Sequence, residues 1–269
     1  MFKFLSKTPY RIGVALSGGG ARGFAHAGAL KAMEDMGIRP DILAGVSAGS
    51  VAAVMYAGGM RPEEIVEAFK EARFSDFAEI GVPRQGFFSL ERFRKFLSDH
   101  VPYENLEDLP LPVAVGVTDF DNCVKACFES GPLVERVVAS CSIPIVFRPV
   151  VIDGVRYVDG GVLHNLPAWT IRDKCKYLIG VNCSPMPGGL VSNSIVDIAM
   201  RSYHMMLRSN IEEDLRICDM VVSTDSIGDH NVFSLSDIER VYRAGYSETV
   251  HTLLEAGFRK PSRVSMMVL

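Results

Sequence analysis

Gly45-Val46-Ser47-Ala48-Gly49 lies between Asp41-Ile42-Leu43-Ala44, a short apolar run, and Ser50-Val51-Ala52-Ala53-Val54-Met55-Tyr56-Ala57, which reads as a helix. Strand, sharp turn and helix are the context that a G-x-S-x-G nucleophile elbow needs. A serine held in a strained turn requires neighbours without bulky side chains, so that strand and helix can pass close beside it. Ser47 then stands at a helix N-terminus, where unpaired N–H groups and the helix dipole favour developing negative charge. Tight strand-to-helix turns often use small residues, so the pentapeptide alone reads equally as a packing turn or as a nucleophile.

Immediately upstream, Arg11-Ile12-Gly13-Val14-Ala15-Leu16 forms a short buried strand. It runs into Ser17-Gly18-Gly19-Gly20-Ala21-Arg22-Gly23, then a helix from about Phe24 to Met36. A phosphate-binding P-loop would need Lys-Ser/Thr after its last glycine, where Phe24-Ala25 stands. Gly18, Gly20 and Gly23 formally satisfy a dinucleotide G-x-G-x-x-G. That motif expects an acid about 20 residues on, closing the second strand. Asp41 instead opens the next strand, so dinucleotide binding is the weaker reading. The stronger one is an oxyanion hole, because successive glycines let several backbone N–H groups converge without obstruction. Removing one such donor typically costs about 100- to 1000-fold in rate. If both strands lie side by side in a parallel sheet, the glycine loop and Ser47 emerge at the same edge.

The bulk properties narrow the class. A chain of 269 residues with 48% hydrophobic and 22% charged content can bury a substantial core and carries no disorder signature. A net charge of −4 gives no nucleic-acid footprint. Six scattered cysteines read as reduced thiols, and Cys123 and Cys127 lack the second ligand pair a zinc site would require. Met1 to Tyr10 lacks the apolar core of a signal peptide, and Ile42 to Met60 contains too many glycines and serines for a membrane span. The expectation is a cytoplasmic protein needing no metal or cofactor, with peripheral membrane contact and oligomerisation left open.

Further along, Arg61-Pro62-Glu63-Glu64 opens a helix. Ser89 is the expected N-cap of another, with Leu90, Phe93, Phe96 and Leu97 as an apolar stripe. Helix packing on the sheet is the favoured reading of the Phe74–Val101 stretch, and an acyl-chain wall or lid the sharper one. Leu111–Val117 and Val124–Glu129 pair as strands, and a helix follows over Pro132–Ser140. Asp153-Gly154 turns a hairpin whose second strand ends at Asp159-Gly160-Gly161. A short helix is expected over Pro167–Asp173, a strand over Tyr177–Val181, a long helix over Ser194–Ile217 and a strand over Met220–Ser223. The last helix starts at the capping box Ser236-Asp237-Ile238-Glu239. Arg201, Arg208, Arg216 and Met205-Met206 read as helix faces. The fold class is α/β, a three-layer sandwich with a mainly parallel central sheet. The organisation is an extension over 1–10, one domain over 11–260 and a tail over 261–269.

Ser47 needs a base. His26 reads as structural, while His164, His230 and His251 have no distinctive context. Four blocks in this order, Gly18-Gly19-Gly20-x-Arg22-Gly23, Gly45-x-Ser47-x-Gly49, Ala139-Ser140-x-x-x-Pro144 and Asp159-Gly160-Gly161, resemble the patatin-like phospholipases from about Arg11 to Pro167. The resemblance implies a Ser-Asp hydrolase with Ser47 as nucleophile and Asp159 as base, and no histidine. Gly18, Gly19 and Gly20 would supply the oxyanion hole and Arg22 would brace it, with Gly45, Gly49, Gly160 and Gly161 as supports. It implies cleavage of fatty-acyl esters of phospholipids or other glycerolipids through an acyl-enzyme. Ser17 stands where many members carry aspartate, a change expected to alter loop support rather than chemistry. The competing functions are a non-catalytic acyl-lipid or effector-binding module and a dinucleotide-dependent enzyme.

Overall fold

The computed structural model describes residues 9–70, 79–80, 88–185, 194–228, 235 and 237–259. Along the chain the strands are β1 (Tyr10–Leu16), β2 (Ile42–Val46), β3 (Glu79–Ile80), β4 (Phe88–Ser89) and β5 (Val113–Asp119). Then come β6 (Val124–Phe128), β7 (Val150–Ile152), β8 (Val155–Asp159), β9 (Cys175–Asn182) and β10 (Met220–Ser223). The helices are α1 (Phe24–Asp35), α2 (Ala48–Ala57), α3 (Pro62–Ala68) and α4 (Glu91–His100). After them come α5 (Leu133–Ser140), α6 (Ile195–Asn210), α7 (Glu212–Ile217) and α8 (Ile238–Glu255).

The main sheet runs β10-β9-β1-β2-β5-β8-β7, with β6 also on β5. β10, β9, β1, β2 and β5 are parallel, whereas β6, β7 and β8 are antiparallel additions. Every residue of β2 and β5 is buried, as central strands covered on both faces must be. Successive residues of a strand face opposite ways. Val14, Leu16 and Leu43 therefore join the larger core with Leu30, Met33 and Val54 of the helices. Ala15, Ile42 and Ala44 face the other side, against Leu166, Ile171 and Leu178. Helices α1 and α8 cross at two glycines: a Cβ on Gly28 would lie 2.0 Å from the Tyr242 oxygen, and one on Gly245 2.0 Å from the Ala25 oxygen.

The register around β5 brings two strand ends together. Val115 stands between Gly45 of β2 and Phe128 of β6, while Val117 stands between Asp159 of β8 and Ala126 of β6. β2 and β8 therefore share one edge of β5 and run toward each other. Their C-terminal ends, Val46 opposite Gly116 and Asp159 opposite Val117, meet there.

Several sequence expectations shift. The helix expected over Ser194–Ile217 is two, interrupted at Ile211, which is buried against the second face of the sheet. Pro167–Asp173 resolves into two 3-10 turns, Pro167–Thr170 and Arg172–Lys174. α4 has Leu90, not Ser89, at its N-cap, because Ser89 pairs with Glu79 in the β3–β4 ribbon. α8 begins at Ile238, and Ser236 of the expected capping box lies outside the described residues, as do His230, Phe74, Phe77 and Phe87.

Candidate active site

Ser47 ends β2 and begins α2 with φ 52° and ψ −124°, a conformation that L-residues adopt only under constraint. The constraint is local crowding. A Cβ on Gly49 would lie 2.2 Å from the Leu16 oxygen, and one on Gly45 2.4 Å from the Gly49 oxygen. Strand and helix thus touch backbone to backbone, and the turn between them has no room to relax. The Ser47 N–H donates to Ser140 Oγ at 2.8 Å, and that hydroxyl donates to the Gly116 oxygen at 2.7 Å. Ser50 N and Oγ both donate to the Ser47 oxygen, at 2.9 and 2.7 Å.

Asp159 is fully buried at the end of β8. Its backbone N–H donates to the Ser142 oxygen at 3.0 Å, and its Oδ1 accepts from Gly161 N at 2.8 Å. The Ser140-Cys141-Ser142 segment, at the end of α5, therefore holds Ser47 with one residue and Asp159 with another. Burial pushes the Asp159 carboxyl up from its ordinary value of 3.8 to about 6; the Ser47 and Tyr203 hydroxyls and the Gly161 N–H oppose that rise by favouring the ionised form. Oδ2 is buried and, among the described residues, makes no hydrogen bond of full geometry with these hydroxyls or with any other group. Such an oxygen is positioned to take a proton.

The glycine loop abuts this pair, since a Cβ on Gly18 would lie 3.4 Å from Ser47 Cβ. The expected trio of donors is reduced, however. The Gly18 N–H donates to the Asn165 oxygen at 3.0 Å and is engaged there. Gly19 and Gly20 are left: among the described residues no hydrogen bond takes up their N–H groups. Gly20, at φ +57°, opens a 3-10 turn over Gly20–Gly23, whose first N–H has no partner within the turn. Arg22 ties the loop to two distant segments, donating to the Pro185 oxygen at 2.5 Å and the Gly228 oxygen at 2.8 Å. Ser17 supports it from below: its Oγ accepts from Cys183 N at 3.0 Å, and its carbonyl lies 2.7 Å from His26 Nε2. His26 is wholly buried, its pKa lowered to about 4 by desolvation, and acts as a strut. Asp41 accepts from Arg11 N and Ile12 N, both at 2.9 Å, so its carboxylate ties down the start of β1.

Gly160 and Gly161 follow Asp159 in a 3-10 turn, Gly160–Val162. A Cβ on Gly160 would lie 2.7 Å from the Gly116 oxygen, and the Gly161 N–H reaches Asp159. Among the described residues no histidine bonds Ser47 or Asp159. His164 Nδ1 lies 2.7 Å from Asp214 Oδ2, and His251 is exposed beside Glu255. Three contributors were not foreseen: Asn165, Tyr203 and Ser140 as a hydrogen-bonding side chain. Ser140 was visible in its motif but carried no role. Asn165 and Tyr203 had no local signal.

Ser47 opens onto a cleft of about 140 Å³ walled by Phe24, Ile65, Phe69, Phe93, Ile143 and Phe147, with Gly20 at its rim. Leu90, the N-cap of α4, and Phe93 in its first turn line it, whereas Leu97, one turn on, is fully buried in the core. The two readings of that stripe thus divide along the helix. The cleft can accept an apolar chain whose polar end sits at Ser47. No helix among the described residues is long and apolar enough to cross a membrane.

The family model for patatin-like phospholipases matches residues 14–171. An uncharacterised NTE family protein of Mycobacterium tuberculosis is 31% identical over 202 residues, covering 74% of this chain and 56% of its own length. The neuropathy target esterase sws of Drosophila melanogaster is 31% identical over 165 residues, covering 58% of this chain and 12% of that protein. The chain therefore spans about half of the mycobacterial relative and a small part of the insect one. In fold it is similar to VipD from Legionella pneumophila, with a TM-score of 0.51 at 16% identity over 92% of this chain and 67% of that one.

Proposed function

The chain belongs to the patatin-like phospholipase family, and on that premise we propose that it is a serine acyl-ester hydrolase working through Ser47 and Asp159. Ser47 Oγ attacks the ester carbonyl carbon while its proton passes to Asp159 Oδ2. The Gly19 and Gly20 N–H groups hold the resulting oxyanion. As the tetrahedral intermediate collapses, Asp159 returns the proton to the departing alkoxide, leaving an acyl-enzyme and a free alcohol. Water then attacks the acyl carbon with Asp159 again as base, releasing the fatty acid and restoring Ser47.

The observation that carries this reading is a buried carboxyl raised to about 6, which interacts with a serine in a strained elbow and whose Oδ2 makes no hydrogen bond of full geometry among the described residues. A carboxylate is a weak base in water, and burial brings it closer to the strength the step requires. The apolar cleft supports fatty-acyl esters of phospholipids or other glycerolipids as the substrate class. A cytoplasmic setting fits the same reading.

Hydrolysis of a lipid panel, with Ser47→Ala as control, tests it. Release of fatty acid that disappears in Ser47→Ala and Asp159→Asn but persists in His164→Ala and His251→Ala is expected. A fluorophosphonate probe should label Ser47 in the native chain. Binding of fatty acid without labelling or turnover would instead make the chain an acyl-lipid-binding module.

A further inference from the structure

α6 has two unlike faces. Tyr203, Leu207 and Asn210 share one, as residues four and three apart on a helix do. That face grips the turn carrying Asp159: Asn210 Nδ2 donates to the Gly161 oxygen at 2.7 Å, and a Cβ on Gly161 would lie 2.5 Å from Leu207 Cδ2. Tyr203 reaches Asp159 itself. The opposite face is exposed and mostly apolar, with Ser202 and Ser209 set among its hydrophobes. Ile195 (85% exposed), Ile198, Met205 and Met206 form a stripe along it, and all four side chains open outward. Arg201 and Arg208 follow Ile198 and Met205 by three residues and so border that stripe on one side. Asp197, the only acid on α6, lies on the same edge as these arginines, four residues before Arg201, and its N–H donates to Ser194 Oγ at the N-cap.

A second exposed hydrophobe lies beside this helix. Ile145, 43% exposed, is held at φ +80°, a backbone conformation that a β-branched residue adopts only where its surroundings impose it. Its neighbours explain the placement. Ile143 and Val146 pack against Met200, Tyr203 and Leu207 of α6, while Ile143 and Phe147 wall the cleft. The Ile143–Phe147 segment is thus fixed at both ends and turns Ile145 outward, next to α6 and beside the cleft.

We infer that α6 and Ile145 together form a docking surface for an anionic lipid interface, lying alongside the cleft that opens to Ser47. An apolar stripe bordered by arginines matches acyl chains below and anionic headgroups above. The inner face of the same helix holds the Asp159 turn, so a lipid surface gripping α6 would sit against the element that positions the carboxyl. The substrate-presenting role rests on the hydrolase reading; the docking itself does not.

The test separates the two. The 269-residue chain carrying Ser47→Ala, which cannot turn over lipid under the proposed mechanism, is floated with vesicles of equimolar phosphatidylcholine and phosphatidylglycerol and with phosphatidylcholine alone. Binding to the anionic vesicles is expected, and adding Ile195→Glu and Met205→Glu should weaken it about tenfold or more, the loss expected when two inserting side chains become charged. In the otherwise native chain the same two substitutions should leave hydrolysis of a soluble short-chain ester unchanged and lower hydrolysis of vesicle phospholipid. Circular dichroism confirms that the variant is folded. Equal vesicle binding with and without the stripe, no binding at all, or loss of a dimer by sedimentation velocity with vesicle binding intact would each overturn the docking proposal. No hydrolysis of any ester, with vesicle binding retained, would leave docking standing and remove the hydrolase reading.

Discussion

Asp159→Asn should make the protein more stable and inactive, with the gain growing as pH rises. The native carboxyl is raised from 3.8 to about 6 by burial, so ionising it in the fold costs more than ionising it in the unfolded chain. At about 1.4 kcal/mol per unit, a shift of about two units amounts to about 3 kcal/mol at alkaline pH. The sign follows from proton binding. Between 3.8 and about 6 the folded state holds a proton that the unfolded state has released. Stability from this group is therefore fully present below the lower value and is lost as pH rises through the upper one. Asparagine does not ionise, keeps an oxygen for the Gly161 N–H, and offers its amide hydrogens to the Ser47 and Tyr203 hydroxyls. Urea denaturation of both proteins at about pH 5 and about pH 8 measures the difference, and the advantage of Asp159→Asn should widen by about 1.4 kcal/mol between them. Ester turnover should fall about 100- to 10,000-fold in the same variant. A stability gap that does not change with pH, or a variant less stable at both, would refute the argument that burial governs this carboxyl.

Under the proposed mechanism the native protein should show kcat/KM rising with pH through about 6, since the base must be ionised. Tyr203→Phe removes a hydroxyl that favours the ionised form and should move that midpoint upward by about half a unit to one unit, with the alkaline plateau little changed. A pH–rate profile reads both. Gly245→Ala places a methyl 2.0 Å from the Ala25 oxygen and should cost about 3 kcal/mol by chemical denaturation, at the upper end for overpacking because backbone, not a side chain, must move. Ala52→Phe projects a ring into the cleft and should lower kcat/KM for long-chain esters about tenfold or more while sparing an acetyl ester; equal losses on both would place the acyl chain elsewhere.

The parts of the site that were legible beforehand are contiguous in the chain. The glycine loop and the elbow each declare themselves within a few residues, because the backbone geometry they require admits only small side chains. Asp153-Gly154 declares its hairpin for a related reason, with both residues at positive φ. The misread helix ends depended on distant partners: Ile211 breaks a helical run by burying against the far face of the sheet. Likewise the Gly18 N–H, counted as an oxyanion donor, is taken by the Asn165 carbonyl nearly 150 residues away.

Read alone, the chain established the alternation of strands and helices, the parallel core of the sheet, and which serine and glycines occupy the sharp turns, since all of these follow from periodicity and local sterics. Tertiary structure decided what lies beside that serine. β8 joins β5 antiparallel, on the same edge as β2, so that Asp159 arrives end to end with Val46, and α6 then closes over the carboxyl. No local pattern encodes that register or the desolvation that raises the carboxyl. Both arise from many buried residues acting together, and they exist only once the layers have packed.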